Sequence, residues 1–291
     1  VRHALAFFFF RVGVGLIGQL GGRIAIRLGR LGAGVFYLLA SGRREMALRH
    51  GMRLGAEDPV SHARKVFAGY GRYWAEAFWI RPRRLPALRE TTVIDGIEHV
   101  REAKRAGRGL IFAVPHVGNW EIAGPVAIEE EIELVAVAEN LANKRIRDWF
   151  VQLRNRLGIG IVLATGGVMR ELEVVLRRNG AVALLCDRDL NGRGVKVRFF
   201  GEDTTLPAGP VSLALRTRAP ILPVAVYFRE GIGHELVIRP PLELSPTGER
   251  KRDLATGTQR VADALEELIT AAPDQWHLLQ PNWPSDRQLG P

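Results

Sequence analysis

The run Leu110-Ile111-Phe112-Ala113-Val114-Pro115-His116-Val117-Gly118-Asn119-Trp120-Glu121 sets an imidazole and a carboxylate five positions apart at the end of an apolar stretch. A histidine so placed can act as a general base on a hydroxyl if a carboxylate orients it. On a continuous helix, positions i and i+5 point ~140° apart, so the two side chains share a site only if His116 lies in a loop ahead of the helix. The apolar run predicts a buried strand over Leu110–Val114, and Asn119 suits the cap of a helix beginning near Trp120. His116 is thereby expected just beyond a strand carboxyl end, where open α/β sheets bind ligands. The free N–H groups of a helix start could there hold an oxyanion. The bland alternative is a loop histidine with an unrelated exposed Glu121.

A second cluster, Asp187-Arg188-Asp189, follows another apolar stretch, Ala181–Cys186. A carboxylate there can take the imidazole N–H of His116, fix its tautomer and stabilise the imidazolium; the alternative is an acidic strand exit closed by an Asn191-Gly192 turn. Phe199-Phe200-Gly201-Glu202 and Leu206-Pro207-Ala208-Gly209-Pro210 read as a flexible segment leading into a helix over 208–217, whose first amides could face an anion; the alternative is a simple helix entry. Glu139 and Arg154 are spaced as an ion pair flanking a helix, which on a surface is worth little.

Other chemistry is disfavoured. Gly13-Val14-Gly15-Leu16-Ile17-Gly18 matches a dinucleotide fingerprint in letters only, because no acidic residue follows before Glu45 and no βαβ unit surrounds it. None of the serines at 41, 61, 212, 245 and 285 lies in a nucleophile elbow. The lone Cys186 closes an apolar strand and reads as core. The 7 histidines show no metal-ligand spacing, and no metal or cofactor is expected.

These residues need a scaffold. With 291 residues, 47% of them apolar, the chain can bury a substantial core. Strands are predicted at 110–114, 134–138, 159–163, 181–186, 195–200, 221–228 and 235–238. Helices alternate with them at 118–130, 144–157, 168–178, 208–217 and 253–271. That alternation predicts an α/β fold, a mostly parallel central sheet covered by helices on both faces. Residues 1–80 read as a helical amino-terminal region joined to an α/β core over 81–291 in one integrated domain. Residues 4–20 and 24–40 are apolar but interrupted by Arg11, Gln19, Arg27 and Arg30, which falls short of a spanning helix. They suit amphipathic helices lying in a membrane interface, or two ordinary helices capping a core. The net charge of +10 favours anionic partners. No nucleic-acid-binding motif is present, so an anionic membrane surface is the expected partner.

Taken in order, the motifs resemble those of the bacterial lysophospholipid/lipid A acyltransferase superfamily. They are Pro115-His116-Val117-Gly118-Asn119-Trp120-Glu121, Ala138-Glu139-Asn140, Arg154 to Gly158, Thr165-Gly166-Gly167, Asp187 to Leu190, Phe199 to Glu202, Pro207 to Pro210, and Trp276 with Pro281-Asn282-Trp283. Within it, the chain looks most like the actinobacterial phosphatidylinositol mannoside acyltransferases. The resemblance implies transfer of a palmitoyl-type chain from acyl-CoA to a mannose hydroxyl of a phosphatidylinositol mannoside, by a peripheral enzyme on the cytoplasmic face of the inner membrane. It implies that His116 is the general base, Glu121 the acidic member of the H-x4-[D/E] motif, and Asp187 the partner of the histidine. The family often has Glu at that last position, which leaves Asp187, Asp189 and Glu202 as candidates for the pairing. Glu139 and Arg154 are implied near the acyl or headgroup site; Asn119, Trp120, Arg188, Asp189 and Glu202 are further candidates for substrate binding, and Trp120, Trp149 and Phe150 could help line an apolar acyl groove. Two other readings are a lipid A acyltransferase fed by acyl carrier protein and a lipid-surface binding protein without catalysis.

Overall fold

The computed structural model describes residues 2–139, 141–164, 166–190 and 192–287, the side chains of Arg2, His3 and Ala6 excepted. Asn140, Thr165 and Asn191, singled out above, lie outside the described residues. Four helices open the chain: α1 (Arg2–Ile17), α2 (Gly22–Leu39), α3 (Ser41–Arg53) and α4 (Pro59–Trp79). Helix α4 starts where the Asp58 carboxylate accepts from Val60 N–H (2.9 Å) and Ser61 N–H (3.0 Å) with Pro59 in the first turn. It ends before Pro82, as the proline-rich sequence requires.

Beyond α5 (Leu85–Glu90), strands and helices alternate: β1 (Thr92–Asp95), α6 (Ile97–Arg105), β2 (Leu110–Val114), α7 (Ala123–Glu129), β3 (Leu134–Ala138), α8 (Lys144–Arg156), β4 (Ile159–Leu163), α9 (Val168–Arg177) and β5 (Ala181–Leu185). Then come β6 (Val195–Phe199), β7 (Glu202–Leu206), α10 (Gly209–Thr217), β8 (Ile221–Phe228), β9 (His234–Ile238) and α11 (Arg250–Thr270). Among the described residues the main sheet has seven strands in the order β1-β9-β8-β2-β5-β3-β4. Only the β8–β9 pair is antiparallel. The α/β fold with a mostly parallel sheet is therefore as expected.

Period-2 alternation divides each central strand between two cores. Ile111 and Ala113 of β2, with Val182 and Leu184 of β5, face Leu172, Leu213 and Leu265 of α9, α10 and α11. Leu110 and Val114 face the opposite way, toward Val100, Val126 and Phe150 of α6, α7 and α8.

Two local expectations need correction, and one strand is new. The segment 199–206 is not flexible: β6 and β7 form an antiparallel hairpin in which Phe199 pairs with Glu202. Its two turn residues, Phe200 (φ 48°) and Gly201 (φ 75°), both take the left-handed conformation that two-residue hairpins favour. The helix expected over 118–130 begins instead as a 3-10 turn, Trp120–Ile122, before α7. Thr92–Asp95 is a strand that short length and mixed polarity hid.

The amino-terminal helices carry an unusual surface. Phe8, Phe9 and Leu16 of α1 and Leu31, Leu38 and Leu39 of α2 are all exposed. Among the described residues no single helix is long and apolar enough to cross a membrane; α2 and α3 together form a pair bent by 100°. Helices α2 and α4 meet backbone to backbone at Gly29 and Gly71, where a Cβ on either would lie 2.4 or 2.3 Å from the other's carbonyl oxygen.

Candidate active site

The β2–β5 register explains the core of the site. Val114 pairs with Leu185 across the parallel ladder, so His116 and Asp187 each lie two residues beyond a matched strand end. The His116 Nδ1 is 2.6 Å from Asp187 Oδ1, and the His116 backbone N–H donates to Asp187 Oδ2 at 3.0 Å. Trp276 Nε1–H adds a third donor to Oδ2 (2.7 Å), and Asn282 Nδ2 donates to the Asp187 carbonyl (3.0 Å). Asp187 is fully buried. Burial alone would raise its carboxyl, but the facing His116 ring and the hydrogen bonds from His116 and Trp276 overcome that and hold it at about 2. An ionised carboxylate only accepts, so Nδ1 carries the proton and Nε2 is the imidazole nitrogen left for substrate.

The loop that presents His116 is pinned residue by residue. His277 N–H donates to His116 O (2.8 Å), Gly118 N–H to Gln275 O (3.0 Å) and Asn119 N–H to Val226 O (3.0 Å). Gly118 has φ 59°, and a Cβ there would lie 1.8 Å from Val226 O, so no other residue fits. Asn119 does cap the following turn, its Oδ1 accepting from Glu121 N–H at 3.2 Å. That amide is therefore satisfied, and it is not one of the free oxyanion donors expected at the helix start.

Glu121 is buried and does not meet His116 as a partner; its charge is answered by Arg154, at 2.7 Å from Nη2 and 3.1 and 3.0 Å from Nε, with Tyr73 Oη donating at 3.1 Å. Burial works against the Arg154 cation, but Glu121 more than compensates and raises its pKa. The expected Glu139–Arg154 pair is thus corrected: Arg154 serves Glu121, while Glu139 pairs with Arg188 Nη2 at 3.1 Å. Arg188 also donates to Gln280. The pairing left open in the sequence falls to Asp187. Asp189 accepts from Gly194 N–H (2.6 Å) and Thr205 Oγ1 (2.8 Å), and Glu202 takes Arg53 (2.8 Å) and Ser285.

Two cavities converge here. One, of about 510 Å³, is lined by His116, Tyr73, Trp120, Glu139, Arg154 and Arg188 among others. The other, narrow and apolar at about 80 Å³, runs along one sheet face past Val114, Phe112, Leu185, Ala183, Val224 and Leu236. Trp120, Val137, Arg154 and Leu185 line both. Trp120 stacks on Tyr73 (4.5 Å) and meets the His116 ring edge-on (5.3 Å). Phe150 lines the larger cavity, but Trp149, expected in the same groove, packs on Phe10 of α1 at 4.9 Å. Cys186 is buried core, and burial pushes its thiol up, away from nucleophilic use.

Sequence reasoning assigned no role to Tyr73, Glu76 or His277. The closing Trp276 and Asn282 were part of the motif set without a function, and they turn out to hold Asp187.

A histidine–carboxylate pair at the strand ends, opening on a wide cavity whose apolar walls carry Glu139, Arg154 and Arg188 and on a narrow apolar one, is the layout of an enzyme that works on a lipid-like substrate. Residues 3–285 match the family model of bacterial lipid A biosynthesis acyltransferases, and the chain belongs to that family of acyltransferases. It is 37% identical over 275 residues to a phosphatidylinositol mannoside acyltransferase of Mycolicibacterium smegmatis, covering 90% of this chain and 86% of the relative. It is 39% identical over 235 residues to the protein of that name from Mycobacterium tuberculosis, covering 79% and 72%. Identity to a lipid A biosynthesis acyltransferase of Haemophilus influenzae is lower, at 25% over 193 residues, covering 65% and 58%.

Proposed function

We propose that the protein transfers a long, palmitoyl-type acyl chain from acyl-CoA to a mannose hydroxyl of a phosphatidylinositol mannoside. The observation that carries this reading is the 2.6 Å His116–Asp187 contact beside a wide cavity that meets a narrow apolar one. His116 Nε2 takes the proton of the acceptor hydroxyl as its oxygen attacks the thioester carbonyl. Asp187 stabilises the imidazolium, and the proton then passes to the departing CoA sulfur. The attack is direct, without an acyl-enzyme, since the only thiol is buried core and, among the described residues, no hydroxyl hydrogen-bonds the histidine. The apolar cavity takes the start of the acyl chain, while Trp120, Arg154, Asn119, Glu139, Arg188, Asp189 and Glu202 serve binding or its support. The mannoside acceptor is favoured by the 37–39% identity to the mycobacterial enzymes.

Residues 1–80 act in this reading as the membrane-contacting part of the chain and 81–291 as the acyltransferase core. The exposed apolar faces of α1 and α2, in a chain of net charge +10, support peripheral docking on the cytoplasmic face of an anionic membrane. Binding to anionic vesicles should weaken with added salt and on deleting residues 1–40; binding unchanged by both would reject this docking.

The deciding experiment incubates the protein with palmitoyl-CoA and a phosphatidylinositol dimannoside and follows acylated glycolipid by mass spectrometry, with His116→Ala alongside. Product that needs His116 supports the reading. Folded protein that makes none, yet acylates a lipid A precursor from acyl carrier protein, would overturn it in favour of that acceptor.

A further inference from the structure

Helix α4 reaches the site twice, at Tyr73 and one turn later at Glu76, and the second contact has no part in the chemistry described so far. Glu76 is fully buried. Its Oε1 accepts from Arg72 Nε at 2.6 Å, and its Oε2 accepts from Asn119 Nδ2 at 2.7 Å and lies 2.9 Å from His234 Nε2. Burial by itself would raise this carboxyl, but His234, Arg72 and Asn119 outweigh it and hold it at about 2, so it is ionised. Every neighbour is thus a donor, and His234 carries its proton on Nε2.

We propose that Glu76 is a positioning residue for the reaction: by accepting from Asn119 Nδ2 it fixes which way the Asn119 amide faces, and thereby the loop that presents His116. The reason is the two-sidedness of that amide. With Nδ2 committed to Glu76, Oδ1 must face Glu121 N–H, the 3.2 Å cap that starts the Trp120–Ile122 turn. Trp120, the first residue of that turn, packs edge-on against the His116 ring. A reversed or displaced Asn119 would set an amide NH2 against the Glu121 N–H, open the turn and release Trp120 from His116. The tie also reaches outward. Arg72 holds Glu76 from one side and donates to the Arg229 and Gly233 carbonyls (2.7 and 3.0 Å), which anchors the arrangement in the β8–β9 connection rather than in the loop itself.

The chemistry supplies a test with a built-in rescue. In E76Q the new amide NH2 faces the Asn119 NH2, donor against donor. In N119D a second carboxylate faces Glu76. In the double variant E76Q/N119D the amide donates to the new carboxylate at 119 and to His234 Nε2, which changes tautomer, while the amide oxygen still accepts from Arg72. The hydrogen bonds linking positions 72, 76, 119 and 234 and the net charge are restored, while the His234 proton moves to Nδ1, which has no hydrogen-bond partner among the described residues. Turnover in E76Q and in N119D should fall about 10- to 100-fold with KM nearly unchanged, and the double variant should regain most of it. The His116 imidazole ¹⁵N shifts should move in both single variants and return in the double. Melting temperatures identify the folded samples; if E76Q does not accumulate folded, N119D and the double make the same comparison. Folded single variants with normal turnover and unmoved His116 signals would overturn the proposal. So would a folded double variant no better than its parents, which would mean that Glu76 supports the fold without passing through Asn119. The turnover arm rests on the acyl-transfer reading. The imidazole arm does not: wild-type protein without transferase activity would refute that reading, while the His116 signals would still decide the role of Glu76.

Discussion

Asp187 and Glu121 are both fully buried carboxylates at the same end of the sheet, yet their charges are answered in different ways. Glu121 faces the permanent cation of Arg154 and the Tyr73 hydroxyl. Asp187 faces a titratable ring and two N–H dipoles, from Trp276 and the His116 backbone. An ion pair with arginine stays the same through a reaction cycle, so Glu121 can brace the site but has little left to offer a transient charge. Under the proposed mechanism, Asp187 has its charge available for the moment when the imidazole accepts a proton. The difference teaches that the carboxylate nearest in sequence to the histidine is bound to an arginine, and the one 71 residues away is the one that meets the imidazole.

Substitutions can break that contrast in order of expected size. His116→Ala removes the base and should lower turnover by ~10²–10⁴-fold with little change in folding. Its assay is acylated glycolipid formed per folded molecule, and near-normal turnover would end the base assignment. Asp187→Asn keeps the shape but not the charge, and should cost about 10²-fold in kcat, the lower end of what general-base catalysis contributes. Glu121→Gln should invert the pattern, with a loss of only about tenfold in kcat but a destabilisation of about 3–5 kcal/mol in urea unfolding, because the buried Arg154 loses its counter-charge. If Asp187→Asn and Glu121→Gln proved alike in both measurements, the division of labour argued here would be wrong.

The smallest effect is on acid stability. Asp187 is held at about 2 against an ordinary 3.8. A depressed carboxyl contributes stability above its unfolded value and loses it as pH falls toward the folded one. About 2 kcal/mol should therefore vanish between pH ~4 and ~2, and the stability gap between wild type and Asp187→Asn should narrow over that range.

Much of the scaffold was legible because buried parallel strands are short apolar runs: β2, β3, β4 and β8 have the expected bounds. The placement of His116 beyond such a run followed directly. What remained open was which strands are neighbours. Nothing in the residues says that β5 lies beside β2, and only that adjacency selects Asp187 over Asp189 or Glu202. Arg154 was assigned to Glu139 for the same reason, since helix α8 could face either carboxylate until packed. The β6–β7 hairpin was hidden because its turn puts Phe200, a residue that rarely takes positive φ, where Asn or Asp is usual. Glu76 was invisible in principle: a charged residue in an aromatic helix reads as solvent-facing until its donors are placed.

The wall shared by the two cavities has one more consequence. Trp120, Val137, Arg154 and Leu185 stand where a narrow apolar slot opens into a chamber of about 510 Å³. Under the proposed mechanism, a thioester carbonyl lodged at that threshold is exposed to whatever fills the chamber, and a base at His116 can activate water as well as a sugar hydroxyl. Fidelity is then a contest of occupancy: a large acceptor crowds water out, and a small or absent one lets the donor be squandered. The ratio of transferred to hydrolysed acyl chains should climb with the size of the acceptor headgroup, independently of how fast the chemistry itself runs.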